Sequence, residues 1–569
     1  MNRTVIMSLL LLLIAARPGW AAIYYMRADG TATDKVAATG PCGQIDATMS
    51  VITHNAQSFS SGDIIYLCDN GGEYKSSIIA PSSGTDGHPI TYTNAAGALP
   101  VIDLSTEVSK KGWFSLGKGK YRKSAYGRLL FEDNVPLEAA TTAALTDGNW
   151  YYKIGSKVIH YKPTSGTPAD HQIETLWFDT LRSTRGIDLS NKSNITVSGL
   201  TFNRCGVGVY FGQKLDSPVS LMKNITIHNN KFERVHWGIL SQLVSNGIEY
   251  NVEITDNHLS YISCGISAWT HSDETPGHTQ HHKGYRITGN KILNLNHISA
   301  SLLWTQVWKP GYPVDHEGIS FQDIQDSVIS NNTITTHVVD TRDRLRAIYF
   351  FLTSGGKTAT SGNSVLRNNI SGVYWPAIYI SAALGHAGFE NNTIAYNLIY
   401  STSSNRDYGS FKINTYSGSN PLSSTNYFVN NVIDNYVGGW AIASTSGNGG
   451  NGTWVVGNNI IKSRANVKIG LESAPGFTIS HNLYPTDGPW LLGNMGLTFA
   501  GWQSMGNFDK ISSRIANPLF VSSSDFHLQS SSPAIDAGMN VGISIDYDGN
   551  HVPSGIAPDM GAYEYIQAE

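Results

Sequence analysis

The sequence is short of charge. Only 14% of its 569 residues are Asp, Glu, Lys or Arg, against about a quarter in an average soluble domain. Helical bundles and coiled coils draw on abundant Glu, Lys, Leu and Ala at helical spacing, so this composition argues against both. There is no basic excess: the formal charge is −4 and the pI near 6.5, which speaks against nucleic acid as a partner. Cysteine is scarce, with four residues and no C-x-x-C, so a structural zinc site is not expected. Beyond the N-terminus no apolar run is long enough to cross a bilayer. Hydrophobic residues nevertheless make up 41% and the mean hydropathy is −0.18, values that exclude a disordered chain and a multispanning membrane protein alike.

What is present starts with an address. Arg3 precedes an apolar run from Val5 to Ala16, Arg17-Pro18 breaks it, and small residues follow at Gly19 and Ala21. This pattern predicts a signal peptide over 1–21, a secreted or periplasmic protein, and no membrane attachment after cleavage. Cleavage removes two arginines and no acid, leaving a charge of −6. Export permits disulfides. Cys42 and Cys68 lie beside turn residues (Pro41, Gly43, Asp69, Asn70) and are expected to pair, with Cys205 and Cys264 left as buried thiols.

After residue 190 one phrase keeps returning: NITVSGLTF (194–202), NITIHNNKF (224–232), NVEITDNHL (251–259), YRITGNKI (285–292), SVISNNTI (327–334), and on to FTISHNL (477–483). Each is a short β-branched/polar alternation, then Asn, then another apolar residue. Anchors at Asn230, Asn257, Asn290, Asn332, Asn369, Asn397, Asn431, Asn459 and Asn482 are separated by 23 to 42 residues. The shortest spacing suits one turn of a β-solenoid, and the longer ones the same turn with a corner insertion. Asn at such a corner is expected to take left-handed geometry and bond its amide to the next coil's Asn. On this reading the Asn-x-Ser/Thr matches at Asn194, Asn224, Asn331, Asn391 and Asn451 are by-products of the ladder. A second strand follows each corner, including WGILSQ (237–242), CGISAW (264–269), EGISFQ (317–322), RAIYFF (346–351), PAIYIS (376–381) and GSFKIN (409–414). Val207, Ile239, Ile266, Ile319, Ile348, Ile378 and Phe411 align as an inward column. Tyr349, Tyr379 and Lys412 then face outward, followed by Gln242, Trp269, Gln322, Phe351 and Asn414. Cys205 and Cys264 align as equivalents, too far apart to pair.

These repeats resemble secreted right-handed parallel β-helix proteins of the pectate-lyase-like superfamily. IYYMRADG (23–30), SSGDIIYLCDNGGEY (60–74) and PSSGTDGHPITYTNAAGALPVID (81–103) are similar to the N-terminal coils of that group. SPAIDAG (532–538) and DMGAYEY (559–565) are similar to its terminal strand phrase. The implied fold is all-β: a right-handed parallel β-helix with a capping helix over 45–55 and a small β-rich insertion. The organisation follows as signal 1–21, cap and first coils 22–103, insertion 104–185, main helix 186–530 and a terminal strand region 531–569. The resemblance further implies a carbohydrate-active enzyme, expected as a monomer, with a polysaccharide partner, uronate-containing in the reading preferred below. Calcium is the ion it brings to mind, although no ligand set matches residue by residue and no metal ligand is assigned.

The candidate active centre lies where the interval is longest. The segment before EGISFQ delivers Asp315, His316 and Glu317, and one coil later DTRDRLRAIYF brings Asp343, Arg344, Arg346 and Tyr349 to the same height. Acid, imidazole, guanidinium and phenol together offer a proton acceptor, a proton donor and a cation to neutralise a carboxylate. A surface salt bridge between adjacent coils is the plainer alternative. Tyr379, Lys412, Gln322, Trp269, Trp304, Trp308 and His236 are candidate substrate contacts, the aromatics because flat apolar rings suit sugar faces. His271, His278, His281 and His282 read as a solvent-facing rim, and DYDGN (546–550) as a turn.

Three classes of function remain open, with an epimerase as a close relative of the first two. A uronate lyase would use Arg344 or Arg346 on the carboxylate, His316 or Tyr349 as base, and Tyr379 or Lys412 as proton donor. A glycoside hydrolase would draw two carboxylates from Asp315, Glu317 and Asp343. A uronate epimerase is suggested by YPVDHE (312–317), which resembles the Tyr–Asp–His phrase of β-helix mannuronan epimerases with one residue missing. A non-catalytic glycan-binding β-helix completes the set. Elimination is the preferred expectation.

Overall fold

The computed structural model of the chain describes residues 21–567, apart from 126–128, 141–144, 154–155, 177–183, 214–220, 245–246, 272–280, 296–314, 337–343, 353–357, 373–375, 383–387, 402–409, 416–423, 436–439, 447–452, 464–466 and 474–475. It is a right-handed parallel β-helix. Among the described residues three long sheets of 16, 12 and 13 strands run along it, named here first, second and third in the order a coil visits them. One coil, for example, runs Leu221–His228, Lys231–Glu233, then Trp237–Val244.

Alternation along each strand fills the tube. In the third sheet Val209, Ile239, Ile266, Ile319, Ile348, Ile378 and Phe411 stack in register, all buried. The inward member of the earliest of these coils is therefore Val209 rather than Val207. The cysteine alignment changes with it: Cys264 pairs with Trp237, which pairs with Val207, while Cys205 sits two residues earlier in the main core. Each fully buried Ile or Phe contributes about 1.5–3 kcal/mol, and coil-on-coil stacking makes these contributions continuous along the axis.

From Ser198 onward the corner between first and second sheets is tight and constant. His228 to Lys231, Thr255 to His258, Ser330 to Thr333 and Val429 to Val432 all span the same short step. The left-handed residue is the first of the two corner residues, as at Asn229, Asp256, Gly289, Asn331, Arg367 and Tyr396. The ladder Asn is the second, so the expected left-handed geometry belongs to its neighbour. Asn257 shows the wiring: its Oδ1 accepts from the backbone N–H and the side-chain amide of Asn230 at 3.0 and 3.1 Å, and its own amide donates to Ile227 and Asn290. The ladder then passes through Asn332, Asn368 and Asn397; Asn368, and not Asn369, is the rung. A second buried ladder, Asn363–Asn392–Asn426, runs at another corner.

In those coils the two edges of the third sheet take up the length variation. The link into it is short from Asn203 to Val207 and long from Leu295 to Asp315. At this same corner, between Val101–Asp103 and Arg185–Ser190, the chain inserts a module of two small, mostly antiparallel sheets with its own core around Phe131, Trp150 and Tyr161. Arg204 fastens it down, bonding Asp103 of the helix and Glu174 of the insertion, with all three buried.

At the N-terminus the capping segment is a 3-10 turn, Ile45–Ala47, followed by the helix Val51–Asn55, N-capped by Ser50. Cys42 and Cys68 are disulfide-bonded, with Cα atoms 5.6 Å apart. At the far end no named strand follows Arg514–Ile515 among the described residues. The expected terminal strand is instead an irregular segment whose Phe526, Met560, Ala562 and Tyr563 cover an outward apolar column of the second sheet, Leu398, Val432, Ile460 and Leu483. Carboxylates replace the missing ladder bonds there: Asp559 accepts from the N–H groups of Asp536 and Tyr565, and Glu564 from those of Ser554 and Asp559. DYDGN is a turn closed by Asp546, which accepts from the N–H groups of Asp548 and Asn550.

Candidate active site on the third sheet

The outward face of the third sheet is built from three rows. The residue before each small residue of the strand phrase forms the first row: Val207, Trp237, Cys264, Glu317 and Arg346. The second row holds Tyr210, Leu240, Ser267, Ser320, Tyr349, Tyr379 and Lys412. The third includes Gln242, Trp269, Phe351, Ser381 and Asn414. Gln322 joins it opposite Phe351.

Glu317 and Arg346 are Cα partners on adjacent coils, and Arg346 Nη1 lies 3.1 Å from Glu317 Oε1. Both are buried, at 4% and 2% exposure, which makes the pair more than a screened surface contact. The Cys264 thiol lies 3.7 Å from Glu317 Oε2. The guanidinium carbon of Arg346 sits 4.2 Å from the Tyr349 ring centre and 5.2 Å from that of Tyr379. The two rings stack 5.3 Å apart and 8° from parallel, an arrangement that fixes the cation over aromatic faces. Asn414 donates its amide to Tyr379 Oη at 3.0 Å and its carbonyl accepts from Thr445. Because the phenolic oxygen accepts from Asn414, its own proton is free to be given elsewhere. Lys412 stands beside Tyr379 in the same row, buried enough that desolvation pushes its pKa below the ordinary lysine value.

Glu317, Arg346, Tyr349, Tyr379 and Lys412 thus come together. Gln322 and Trp269 flank them: Gln322 Oε1 accepts from the Thr270 N–H at 2.8 Å, and the Trp269 indole donates to Ser320. His316 and His236 do not join the row. They are 0% and 2% exposed, and His316 donates through Nδ1 to the Ser263 carbonyl. Burial, with Arg346 nearby, pushes its pKa down to about 4, so the ring is neutral at physiological pH. The reason is a slip in the alternation. Gly318 and Ile319 both point to the core, where a Cβ on Gly318 would stand 2.8 Å from Ile334 Cγ2. Glu317 is thereby sent outward and His316 inward. His282 is also no rim residue: it is fully buried, with Nδ1 3.0 Å from the buried Glu249 carboxylate. Asp343, Trp304, Trp308 and His278 lie outside the described residues, and of Asp315, Arg344 and His271 only the backbone is described, with Asp315 opposite Arg344.

Trp237, Tyr210 and Cys264 carried no site expectation. They form an apolar cluster with Leu240 on the outward face, with Trp269 packed against it. The available signal was their fixed place one residue before, or two after, the small residue of each phrase.

The fold is shared with XylC. A structure of XylC in complex with xylose superposes at TM-score 0.52 and 12% identity, over 95% of this chain and 98% of that one. Pectate lyase Pel9A (TM-score 0.34, 13% identity, 96% and 97% covered) and a GH136 lacto-N-biosidase from Eubacterium ramulus (0.35, 11%, 87% and 67%) are also found. At those scores neither bears on what this chain does. No family model matches the chain, and no curated protein matches it in sequence.

The row does not fit calcium. That ion takes six to eight oxygen ligands, whereas the described partners of Glu317 are the Arg346 guanidinium and the Cys264 thiol, and the rest of the row adds two phenols and an amine rather than carboxylates. No step below passes through a metal.

Proposed function

We propose that the chain is a secreted carbohydrate-active enzyme that cleaves a uronate polysaccharide by β-elimination on the outward face of the third sheet. The observation that carries this reading is the Arg346–Tyr349–Tyr379–Lys412 row, a cation, two phenols and a desolvated amine within neighbouring coils. Export is supported by the N-terminal apolar run, and the Cys42–Cys68 disulfide suits an oxidising compartment. In this scheme Arg346 neutralises the uronate carboxylate, which acidifies the neighbouring C–H. Lys412, whose neutral form burial favours, takes that proton. The C–H electrons form the new double bond, the glycosidic C–O bond breaks, and Tyr379 protonates the departing oxygen. Glu317 holds the guanidinium in place. The base is assigned to Lys412 rather than His316 because the buried imidazole lies off the row.

The test is to incubate the protein with neutral and uronate polysaccharides, following ultraviolet absorbance of unsaturated uronate alongside new reducing ends. Both rising together supports elimination. Reducing ends without absorbance would replace it with hydrolysis and direct attention to Glu317, Asp315 and Asp343. Silence in both would favour glycan binding or epimerisation.

A further inference from the structure

A cradle for a cation lies in the inserted module, outside the third-sheet row. The strand Leu129–Glu132 turns back through Asp133 and Asn134, at φ 50° and 67°, into Val135–Pro136. Ile173–Leu176 runs antiparallel beside it with Ile173 opposite Glu132, so His171 arrives next to the turn. His171 Nδ1 is 3.2 Å from Glu132 Oε1 and 2.7 Å from Asp133 Oδ2, and one ligand atom from each of the three residues falls within a 4.8 Å span.

The imidazole orientation is imposed from outside this group. His171 Nε2 is 2.8 Å from the Ser165 carbonyl, which can only accept, so Nε2 carries a hydrogen. That aims Nδ1 at two carboxylate oxygens, which also only accept, and the point between them calls for a positive charge. A proton on Nδ1 or a metal ion would meet the requirement. A backbone carbonyl on the far ring nitrogen is the usual support of a metal-bound histidine. Glu132 is equally fixed, accepting from Tyr161 Oη and from the N–H and hydroxyl of Thr164. The His171 and Glu132 side chains are 9% and 3% exposed, and Asp133 is 56% exposed, leaving one side open for water to complete the coordination.

We infer that Glu132, Asp133 and His171 bind a divalent first-row transition ion of the zinc class, which ties the Asp133 turn to the strand that follows His171. The nitrogen ligand and the low ligand number suit zinc and disfavour calcium and magnesium.

The experiment is calorimetric titration of the chelator-stripped full chain with ZnCl2, and separately with CaCl2, for the parent, His171→Ala and Asp133→Asn. Asp133→Asn is the control for folding, because that side chain is largely exposed. The expected result is one equivalent of zinc that both variants lose or bind at least tenfold more weakly, with no matching calcium isotherm. Zinc binding unchanged in either variant, or absent from the parent, would overturn the inference and leave an imidazolium–carboxylate clasp only. Activity on polysaccharide is not the readout, so the elimination scheme stands or falls separately.

Discussion

Lys412 is the residue on which the proposed chemistry turns. Its pKa is lowered by desolvation, so the neutral amine accumulates below the ordinary lysine range and the elimination rate should climb with pH and level off short of it. Lys412→Met is expected to reduce turnover about 10²–10⁴-fold and Tyr379→Phe about 10²-fold, both read from the absorbance of unsaturated product. A pH profile that is flat from 6 to 10 would remove Lys412 as the base. At a ladder position the stake is stability. Asn332 accepts from the backbone and amide of Asn290 and donates to Ile287 and Asn368. Asn332→Ala strands buried donors on a neighbouring coil and should destabilise by about 2–4 kcal/mol, seen in denaturant unfolding; a change below 0.5 kcal/mol would mean the rung is dispensable. The residues of these two roles were not equally legible. Tyr349, Tyr379 and Lys412 follow from simple alternation. His316 does not, because Gly318 and Ile319 both face the core, and the cue to that slip is the small residue recurring at this place from phrase to phrase rather than anything in EGISFQ read alone.

At the scale of elements, the insertion depends on a buried charged joint. Arg204 bonds Asp103, Glu174 and Asn134, while Lys75 reaches Asp103 and Glu174. Removing one partner leaves buried charge uncompensated, so Arg204→Ala is expected to destabilise the joint by about 3–5 kcal/mol. Limited proteolysis should then cut within 104–184 before the coils; fragments from the coils first would refute the joint. The hairpin character of this region was visible in its turn residues, but its attachment was not. Asp103, Glu174 and Arg204 are distant in sequence and meet only because coils stack. The C-terminal segment makes the same point: SPAIDAG and DMGAYEY looked like strand phrases, yet the backbone N–H groups of Asp536, Asp559 and Glu564 go to the carboxylates of Asp559, Glu564 and Asp546.

For the whole molecule, two buried histidines are the acid-sensitive groups. His54 and His316 are both fully buried, and burial pushes each pKa down to about 4. A depressed histidine pKa stabilises the fold fully above the unfolded value of 6.5 and loses that contribution as pH falls through 4. Each shift corresponds to about 3 kcal/mol. Burial raises the Asp559 carboxyl to about 7, which works the other way over the same window, so the expected reading is a difference between proteins. From pH 7 to 4 the thermal midpoint of His54→Gln should lose less than that of the parent, and equal pH slopes in the two would contradict it.

The sequence by itself determined the coil: the length of a turn, the two-residue Asn corner, the inward Ile column and the parallel stacking, because each is written in local periodicity and repeated along the chain. Tertiary structure decided which residues meet. Rows across the third sheet, the Glu317–Arg346 pair, the cover over Leu398 and Val432, and the module's anchor all join residues tens of positions apart. Their contacts depend on coil register and on where a neighbouring coil leaves room, quantities that no single strand encodes.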